Sequence, residues 1–124
     1  MARSQDRSKR KASGGRYVSF RSKKKSELVG FSANTKIGEK KVKTKRTLGG
    51  NLKKQHLAAQ EINVADKGKV KKAVIKNVLE NEANPHLVRR NILTKGAVVE
   101  TDLGKVKITS RPGQESVLNG VLVK

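Results

Sequence analysis

The sequence predicts a mainly β protein: a small closed antiparallel barrel of about six short strands with an extended basic N-terminal arm. Residues 40–124 contain short runs of β-branched residues, separated at fairly even spacing by turn residues, which is typical of a small all-β domain. Only 34% of the chain is hydrophobic, so its core is small. We favour a closed barrel because closure removes the strand edges that would otherwise aggregate.

Residues 1–39 form the predicted arm. They show almost no apolar periodicity and contain Gly14 and Gly15 near their middle, so they cannot bury enough surface to offset the entropy of ordering. Interleaved glycines and serines let such a segment bend and approach another backbone closely. We therefore predict a basic extended arm at 1–39 and a small β-barrel domain at 40–124.

The net charge predicts the kind of partner. Thirty Lys and Arg oppose ten Asp and Glu, which gives a formal charge of +20, and residues 1–54 hold 18 of the basic residues but only 3 of the acids. A compact chain with this charge repels itself unless a polyanion neutralises it. Clustered cations bind phosphates and release counterions, which indicates nucleic acid. The scarcity of aromatic residues favours double-helical backbone over a single-stranded stacking platform.

Two strand regions open the body. The run KKVKTKRTL alternates with a two-residue period from Val42 to Leu48. The run NLKKQHLAAQEINVA ends in the alternating pair Ile62 and Val64. Both patterns suit exposed or half-buried strands.

The run KVKKAVIKNVLEN, residues 69–81, fits two structures. Val70, Val74 and Val78 have helical spacing, yet the run is rich in β-branched residues and has no convincing helix cap. We predict a strand, and the helix remains the alternative.

The last third of the chain reads as short strands joined by turns. HLVRRNIL, residues 86–93, is predicted as a strand after a turn at Asn84-Pro85, and AVVETDLGKVKIT as two strands joined by a tight turn. Pro112-Gly113 fits the centre of a type II turn. The tight turn is Asp102-Leu103-Gly104, the loop is Arg111 to Gln114, and the last strand is Val121 to Val123.

The residues offer little raw material for catalysis. The chain has no cysteine, which excludes disulfides, zinc knuckles and thiol catalysis. His56 and His86 are thirty residues apart and have no metal-binding spacing. Gly49-Gly50 is not followed by the Gly-Lys-Ser or Gly-Lys-Thr of a phosphate-binding loop.

Two close pairs of acids could in principle act as paired carboxylates or bind Mg²⁺. These are Glu80 with Glu82 and Glu100 with Asp102. At alternating strand positions beside turns, such acids are usually solvated groups. We predict no catalytic site, no metal, no cofactor and no small-molecule substrate, and no segment has the apolar length of a membrane span.

Four short motifs follow one another along the chain: KRKASGGR from Lys9, ANTKIG from Ala33, GGN with following lysines from Gly49, and SRPGQ from Ser110. In this order and at this separation they resemble the e-type ribosomal protein eight family of the archaeal and eukaryotic small subunit. The resemblance runs from about Lys9 to the carboxyl end. The chain lacks the insertion and the C-terminal extension of the eukaryotic members and is similar to the compact archaeal form.

The resemblance implies a structural constituent of the small ribosomal subunit in the cytoplasm, not an enzyme. Its implied partners are small-subunit ribosomal RNA and neighbouring ribosomal proteins, and the RNA is bound by the basic arm and one basic face of the body, which supports assembly and translation. The turn from Ala33 to Gly38 is expected to press small residues and backbone amides against RNA. The alternative is that Asn34 and Gly38 only shape a turn. For Arg111 and Gln114, contact with RNA and a position that only flanks a turn are both open.

The residues predicted to contact RNA are cations that can hold phosphates, glycines at close approaches, and short polar side chains. In the arm they are Lys9, Arg10, Lys11, Gly14, Gly15, Arg16, Arg21, Lys23, Lys24 and Lys25. In the following turn and first strands they are Asn34, Thr35, Lys36, Gly38, Lys40, Lys41, Lys43, Lys45, Arg46, Gly49, Gly50, Asn51, Lys53 and Lys54, and in the late loop they are Arg111 and Gln114.

Other function classes share part of this pattern. A DNA-compacting chromatin protein would have the charge and the small β body but would not need ANTKIG or a long unpatterned arm. A ribosome-assembly factor would leave the subunit at modest salt. An RNA-processing enzyme using Glu100 and Asp102 with a metal would lose its activity when either residue becomes alanine.

Overall fold

The structure is a computed structural model that describes residues 7–66 and 68–123. The chain divides into two compact units, Met1–Ser32 and Ala33–Lys124. This division falls after Ser32, whereas the predicted arm ends at residue 39. Among the described residues, no helix is long and apolar enough to cross a membrane.

The described part of the first unit is basic and exposed. Its one regular element is a single 3-10 turn, Lys25–Glu27. An isolated bridge between Arg10 and Arg16 closes a small loop near its start. None of residues 7–32 is buried.

The second unit begins with a three-stranded sheet. Its strands are β1 (Lys36–Ile37), β2 (Lys41–Arg46) and β3 (Leu52–Ala59), in the order β1-β3-β2. β2 and β3 are antiparallel, whereas β1 runs parallel to β3. β2 is exposed along its whole length, and Ala59 is the one fully buried apolar side chain of the three strands. This sheet therefore contributes little to the core.

Five further strands close into a barrel. They are β4 (Glu61–Asp66), β5 (Lys69–Glu80), β6 (Val98–Thr101), β7 (Gly104–Ile108) and β8 (Asn119–Leu122). The four sequential pairs are antiparallel, and the closing pair of β4 with β8 is parallel. The predicted mainly β fold with a small closed barrel is confirmed. The barrel has five strands because the first strands of the body form the separate sheet instead.

The barrel interior is filled by the alternate residues of its strands. Ile62 and Val64 of β4 are at most 1% exposed, as are Val99 and Val106 on β6 and β7. A Cβ atom added at Gly120 would collide with the side chain of Val106 and would lie 3.0 Å from the backbone oxygen of Lys107. β8 therefore passes its neighbours at a distance that only glycine allows.

Residues 69–80 are a strand, β5, and the helical alternative is wrong. The pairing register of β5 with β6 shifts between Ile75 and Asn77, which is the mark of a β-bulge. Because of the bulge, the next buried residue after Ile75 is Val78, three positions further on instead of two. Val70 and Val74, two of the three valines with helical spacing, are exposed, so that spacing does not mark a buried face.

The predicted strand at residues 86–93 is wrong. Asn84 accepts a hydrogen bond from the backbone nitrogen of His86 at 3.0 Å and begins the single 3-10 turn Pro85–Leu87. Proline suits the first position of such a turn because its missing N–H needs no partner there. The chain continues in turns to Asn91, whose φ is +50°, and Ile92 and Leu93 then enter the core.

Candidate nucleic-acid interface

Residues 41–54 form an exposed hairpin that we call the basic ribbon. It consists of β2, a five-residue loop and the start of β3. It contains six cations and no acid, and no described ion pair involves any of them. The cations are Lys41, Lys43, Lys45, Arg46, Lys53 and Lys54, and every one is exposed.

Both faces of the basic ribbon are cationic. The register pairs Lys45 with Lys53 and Thr44 with Lys54. Since side chains alternate between the faces of a strand, Lys43, Lys45 and Lys53 share one face. Arg46 and Lys54 lie on the other. Lys45 and Lys53 face each other directly, an arrangement that destabilises an antiparallel pair in the absence of a counter-charge.

The loop of the basic ribbon depends on its glycines. Gly49 and Gly50 have φ of +77° and +76°, a region that residues with a side chain rarely adopt. Thr47 donates from its backbone nitrogen and from its hydroxyl to the backbone oxygen of Asn51, at 2.7 and 3.0 Å. The loop therefore places Leu48, which is 97% exposed, at the tip of the ribbon.

The ANTKIG motif divides into inward and outward positions. Thr35 is only 2% exposed, and its hydroxyl donates to the backbone oxygen of His56 at 2.7 Å. Asn34 and Lys36 are exposed on either side of it, and Asn34 has φ +45°. Gly38, with φ +154°, donates to the backbone oxygen of Ala59 at 3.4 Å. Asn34 and Lys36 are thus exposed, whereas the hydroxyl of Thr35 is bonded inside the fold.

The SRPGQ motif, which lies late in the sequence, is hydrogen-bonded to the same strand, β3. The backbone nitrogen of His56 donates to the oxygen of Pro112 at 2.8 Å. Gln114 donates to the oxygen of Arg111 at 2.9 Å, but Gly113 does not have a positive φ, so the predicted type II turn is wrong. A type II turn requires that positive φ. Arg111 and Gln114 are exposed.

The two motifs therefore meet at one residue. Both backbone polar groups of His56 are used, the oxygen by Thr35 and the nitrogen by Pro112. A Cβ atom added at Gly113 would lie 3.7 Å from the Cβ of Ala33, so the first residue of one motif packs against the other motif. Their shared contribution is to hold β3 in place.

In the first unit, the KRKASGGR motif forms an ordered loop. Lys11 donates to the oxygen of Gly15 at 2.8 Å, and Gly14 to that of Lys11 at 3.0 Å. Arg10 donates through its guanidinium to the oxygen of Gly14 at 2.8 Å. Gly14 has φ +83°, so this glycine builds the turn. The loop also contains Lys9 and Arg16, which are exposed.

The lysine run of the first unit lies beside a turn that is stabilised by hydrogen bonds to a carboxylate. Arg21 donates to both carboxylate oxygens of Glu27, at 2.5 and 3.2 Å, and the backbone nitrogen of Lys24 donates to the same group at 3.1 Å. These hydrogen bonds lower the pKa of the Glu27 carboxyl, and the bond from the Arg21 side chain has the largest effect. Lys23, Lys24 and Lys25 are exposed beside it. Arg21 thus binds an acid of its own chain.

Sequence reasoning missed two features. His56 is 3% exposed and lies at the meeting point of two motifs, and no pattern in its surrounding run, NLKKQHLAAQEINVA, indicated burial. The aromatic side chains of the first unit are exposed: Phe20 by 88% and Phe31 by 104%. Tyr17 lies under the guanidinium of Arg7, 4.0 Å from the ring centre.

The acids considered for catalysis occupy ordinary positions. Asp102 pairs with Lys76 at 3.0 Å, and Glu100 is exposed on β6. In residues 7–66 and 68–123, no cluster of three or more potential metal ligands occurs.

A small barrel with a core of its own, joined to an exposed ribbon that carries only positive charge, defines a class: a basic β-barrel protein suited to a polyanionic partner. A family model described as Ribosomal protein S8e matches residues 4–123. The chain belongs to this family.

Relatives that match over nearly their whole length support the same family. Small ribosomal subunit protein eS8 of Methanocorpusculum labreanum is 52% identical over 122 residues, covering 97% of this chain and 98% of that protein. The protein of the same name from Methanobrevibacter smithii is 50% identical and covers 99% and 100%. That from Methanosphaerula palustris is 48% identical and covers 97% and 98%.

Family membership confirms the resemblance and the compact archaeal form, because the chain matches archaeal relatives over nearly their whole length. It also confirms that the chain is a ribosomal protein and not an enzyme.

Proposed function

We propose that the chain is a structural component of the small ribosomal subunit and binds its ribosomal RNA through the basic ribbon and the basic arm. The relatives carry the name of a small-subunit protein along the same length of chain. The cytoplasmic ribosome is then its location, and neighbouring ribosomal proteins are further partners. The observation that carries the RNA part is the basic ribbon, with six cations, no acid and Lys45 opposite Lys53.

The basic ribbon suits the RNA backbone for an electrostatic reason. Lysines at alternate positions of one strand lie about 7 Å apart on the same face, so each can take a separate phosphate. Binding removes the repulsion between Lys45 and Lys53 and releases counterions from the RNA. Because both faces carry cations, the ribbon can lie between two RNA strands rather than on one.

The turn beside the ribbon adds shorter contacts. Lys36 and Asn34 are exposed, so we propose that they contact RNA while the buried Thr35 anchors β3. Arg111 and Gln114 are proposed as outward contacts of the loop whose Pro112 oxygen holds the same strand. Lys40 and Gly38 lie in the link between β1 and β2 and complete this group.

We propose that the arm binds RNA with residues of two kinds. Its ordered loop presents Lys9, Lys11 and Arg16 on a frame built by Arg10, Gly14 and Gly15. Its lysine run, Lys23, Lys24 and Lys25, supplies phosphate contacts beside the turn that Arg21 and Glu27 fix.

A matched pair of triple variants tests the proposal. Lys43, Lys45 and Lys53 become alanine in one, and Lys71, Lys105 and Lys107, exposed on the barrel, in the other. Both lose three charges. Filter binding to small-subunit ribosomal RNA over a salt series should show a slope reduced by about 2 to 3 in the ribbon variant and a much smaller reduction in the barrel variant.

Equal slopes in the two variants would contradict a role for the ribbon. Duplex DNA at the same salt is the comparison ligand. Stronger binding to DNA than to folded ribosomal RNA would favour the DNA-compacting alternative, and loss of the protein from isolated small subunits in a moderate salt wash would favour an assembly factor.

A further inference from the structure

The three aromatic residues of the chain all lie in the first unit. They are Tyr17, Phe20 and Phe31, within a stretch of fifteen residues. Among the described residues, every buried apolar side chain is Ala, Ile, Leu or Val. Aromatic side chains usually dominate cores and interfaces, because they bring a large apolar area. Since these rings take no part in the core, an interface is the role left to them.

The rings belong to an apolar group that the fold leaves in water. Phe20 is 88% exposed and Phe31 is fully exposed. Val18, which is 90% exposed, lies between Tyr17 and Phe20 in the sequence. Single exposed apolar residues are common on protein surfaces, but a run of them in a segment without a core is a surface that a partner can cover.

Cations surround the rings. The guanidinium of Arg7 lies 4.0 Å from the centre of the Tyr17 ring, and the ammonium of Lys11 lies 5.7 Å from it. The guanidinium of Arg21 lies 5.2 Å from the centre of the Phe20 ring. Residues 7–32 contain nine Lys and Arg and a single acid. A partner that covers the rings must therefore be apolar and anionic at the same place.

An unpaired nucleotide meets both requirements. Its base has a flat apolar face that stacks on aromatic side chains, and a phosphate lies next to every base. In a double helix the bases are stacked on one another, so a double-helical backbone alone would leave Phe20 and Phe31 in water. A protein partner fits the charge less well, because protein interfaces are depleted of Asp and Glu at their centre.

We propose that Phe20 and Phe31 each stack on an unpaired base of the RNA while the cations of the arm hold its phosphates. The lysine run, residues 23–25, lies between the two rings along the chain, and it neutralises the phosphates that link the stacked bases. Stacking of this kind is tolerant of base identity, so no base is preferred. This inference rests on the proposed RNA-binding function and adds unpaired bases to the double-helical backbone that the overall scarcity of aromatic residues favours.

Two RNAs of equal charge test the stacking. One is a stem with a single-stranded extension, and the other is the same RNA made abasic throughout the extension, so both have the same phosphates. The full chain should bind the intact extension at least about fivefold more tightly, the lower end of what one stacked base contributes. Ultraviolet irradiation of the complex, followed by mass spectrometry, should place cross-links to the RNA at Phe20 and Phe31.

Matched variants separate stacking from charge and from apolar contact. Phe20→Ala and Phe31→Ala should each weaken binding to the intact extension at least about fivefold, with the salt slope unchanged because no cation is removed. Val18→Ala is the control, since Val18 is as exposed as Phe20 but has no ring, and it should bind as the unaltered chain does. Phe20→Leu keeps the apolar surface without the ring and should be as weak as Phe20→Ala.

The outcomes separate this inference from the function on which it rests. If the protein binds neither RNA, the proposed function itself is contradicted. If intact and abasic extensions bind equally, or if Phe20→Leu binds as tightly as the unaltered chain, the stacking inference alone is overturned. Normal RNA binding by Phe20→Ala and Phe31→Ala, combined with their failure to enter reconstituted small subunits, would overturn it in favour of a protein partner for the rings.

Discussion

The barrel and the basic ribbon are both made of strands, but they are stabilised by different interactions. The barrel is stabilised by its core, in which Ile62, Val64 and Val106 are 1% exposed or less. The ribbon buries almost nothing and sets Lys45 against Lys53. The charge pattern of the ribbon therefore does not stabilise the isolated fold, which supports the proposal that it binds a polyanionic partner.

The largest expected effect is a loss of stability in the barrel, caused by a change that does not touch the arm. Gly120→Ala adds a Cβ that collides with Val106, and overpacking of this kind costs about 1–3 kcal/mol. Urea unfolding followed by circular dichroism should show that loss in the free energy of unfolding. Gly30→Ala is the control, since a Cβ there has no atom within 4 Å. A comparable loss in the free energy of unfolding of Gly30→Ala would contradict the claim that the close packing at Gly120 is what stabilises the barrel.

A smaller effect separates the anchor of the ribbon from its binding surface. Thr35→Val removes the hydroxyl that satisfies the buried oxygen of His56, which should lower the free energy of unfolding by about 1–2 kcal/mol. The fraction that stays folded should bind ribosomal RNA with unchanged affinity. Thr44→Val, an exposed position of the ribbon, should leave the stability unchanged.

Impaired RNA binding by folded Thr35→Val, measured below its unfolding midpoint, would contradict the anchoring role. It would return Thr35 to the group of direct RNA contacts that the sequence predicts.

A still smaller effect has opposite signs on stability and on binding. Lys45→Glu replaces a like-charge pair with Lys53 by an opposite-charge pair, which should raise the free energy of unfolding by about 0.2–1 kcal/mol. The same change should weaken RNA binding and reduce its salt slope by about 1. Lys71→Glu, whose strand partner is Val64, is the control of equal charge change and should not gain that cross-strand stability. A loss of stability in Lys45→Glu would show that Lys45 and Lys53 do not destabilise the ribbon by repelling each other.

The smallest effect concerns the turn of the arm. Because the hydrogen bond from Arg21 lowers the pKa of Glu27, the turn is stabilised at a pH above the ordinary carboxyl pKa. That stabilisation is lost as the pH falls through the lowered value. An NMR titration of the Glu27 carboxyl carbon should show this, and Arg21→Ala should move the pKa back towards its ordinary value. An unchanged titration in Arg21→Ala would mean that the pair does not form in solution.

The parts of the fold that follow local rules were predictable. The alternation of Ile62 and Val64 gave the strand β4 and its buried side, and the turn at Asp102 gave the hairpin of β6 and β7. The family motifs gave the ribosomal family. These features depend on neighbouring residues, which a sequence displays directly.

The parts that depend on distant contacts were not predictable. The bulge after Ile75 arises from pairing with β6, which the sequence of β5 does not display. Asn84-Pro85 began a 3-10 turn, so that HLVRRNIL gave core residues without a strand. Thr35 looks like an RNA contact in the motif, yet its hydroxyl reaches a residue 21 positions away. A cavity of about 440 Å³ beside the end of β3 is likewise assembled from four separated segments, residues 39–40, 56–63, 72 and 116–118.

The most direct test of the central claim is lysine footprinting of the full chain, free and bound to small-subunit ribosomal RNA. Acetylation at each lysine is measured by mass spectrometry. Lys43, Lys45 and Lys53 of the basic ribbon should be strongly protected by the RNA, while Lys71, Lys105 and Lys107 of the barrel, which are also exposed in the free chain, should react as before. Equal protection of the two sets, or protection of the barrel set alone, would contradict the assignment of RNA binding to the ribbon.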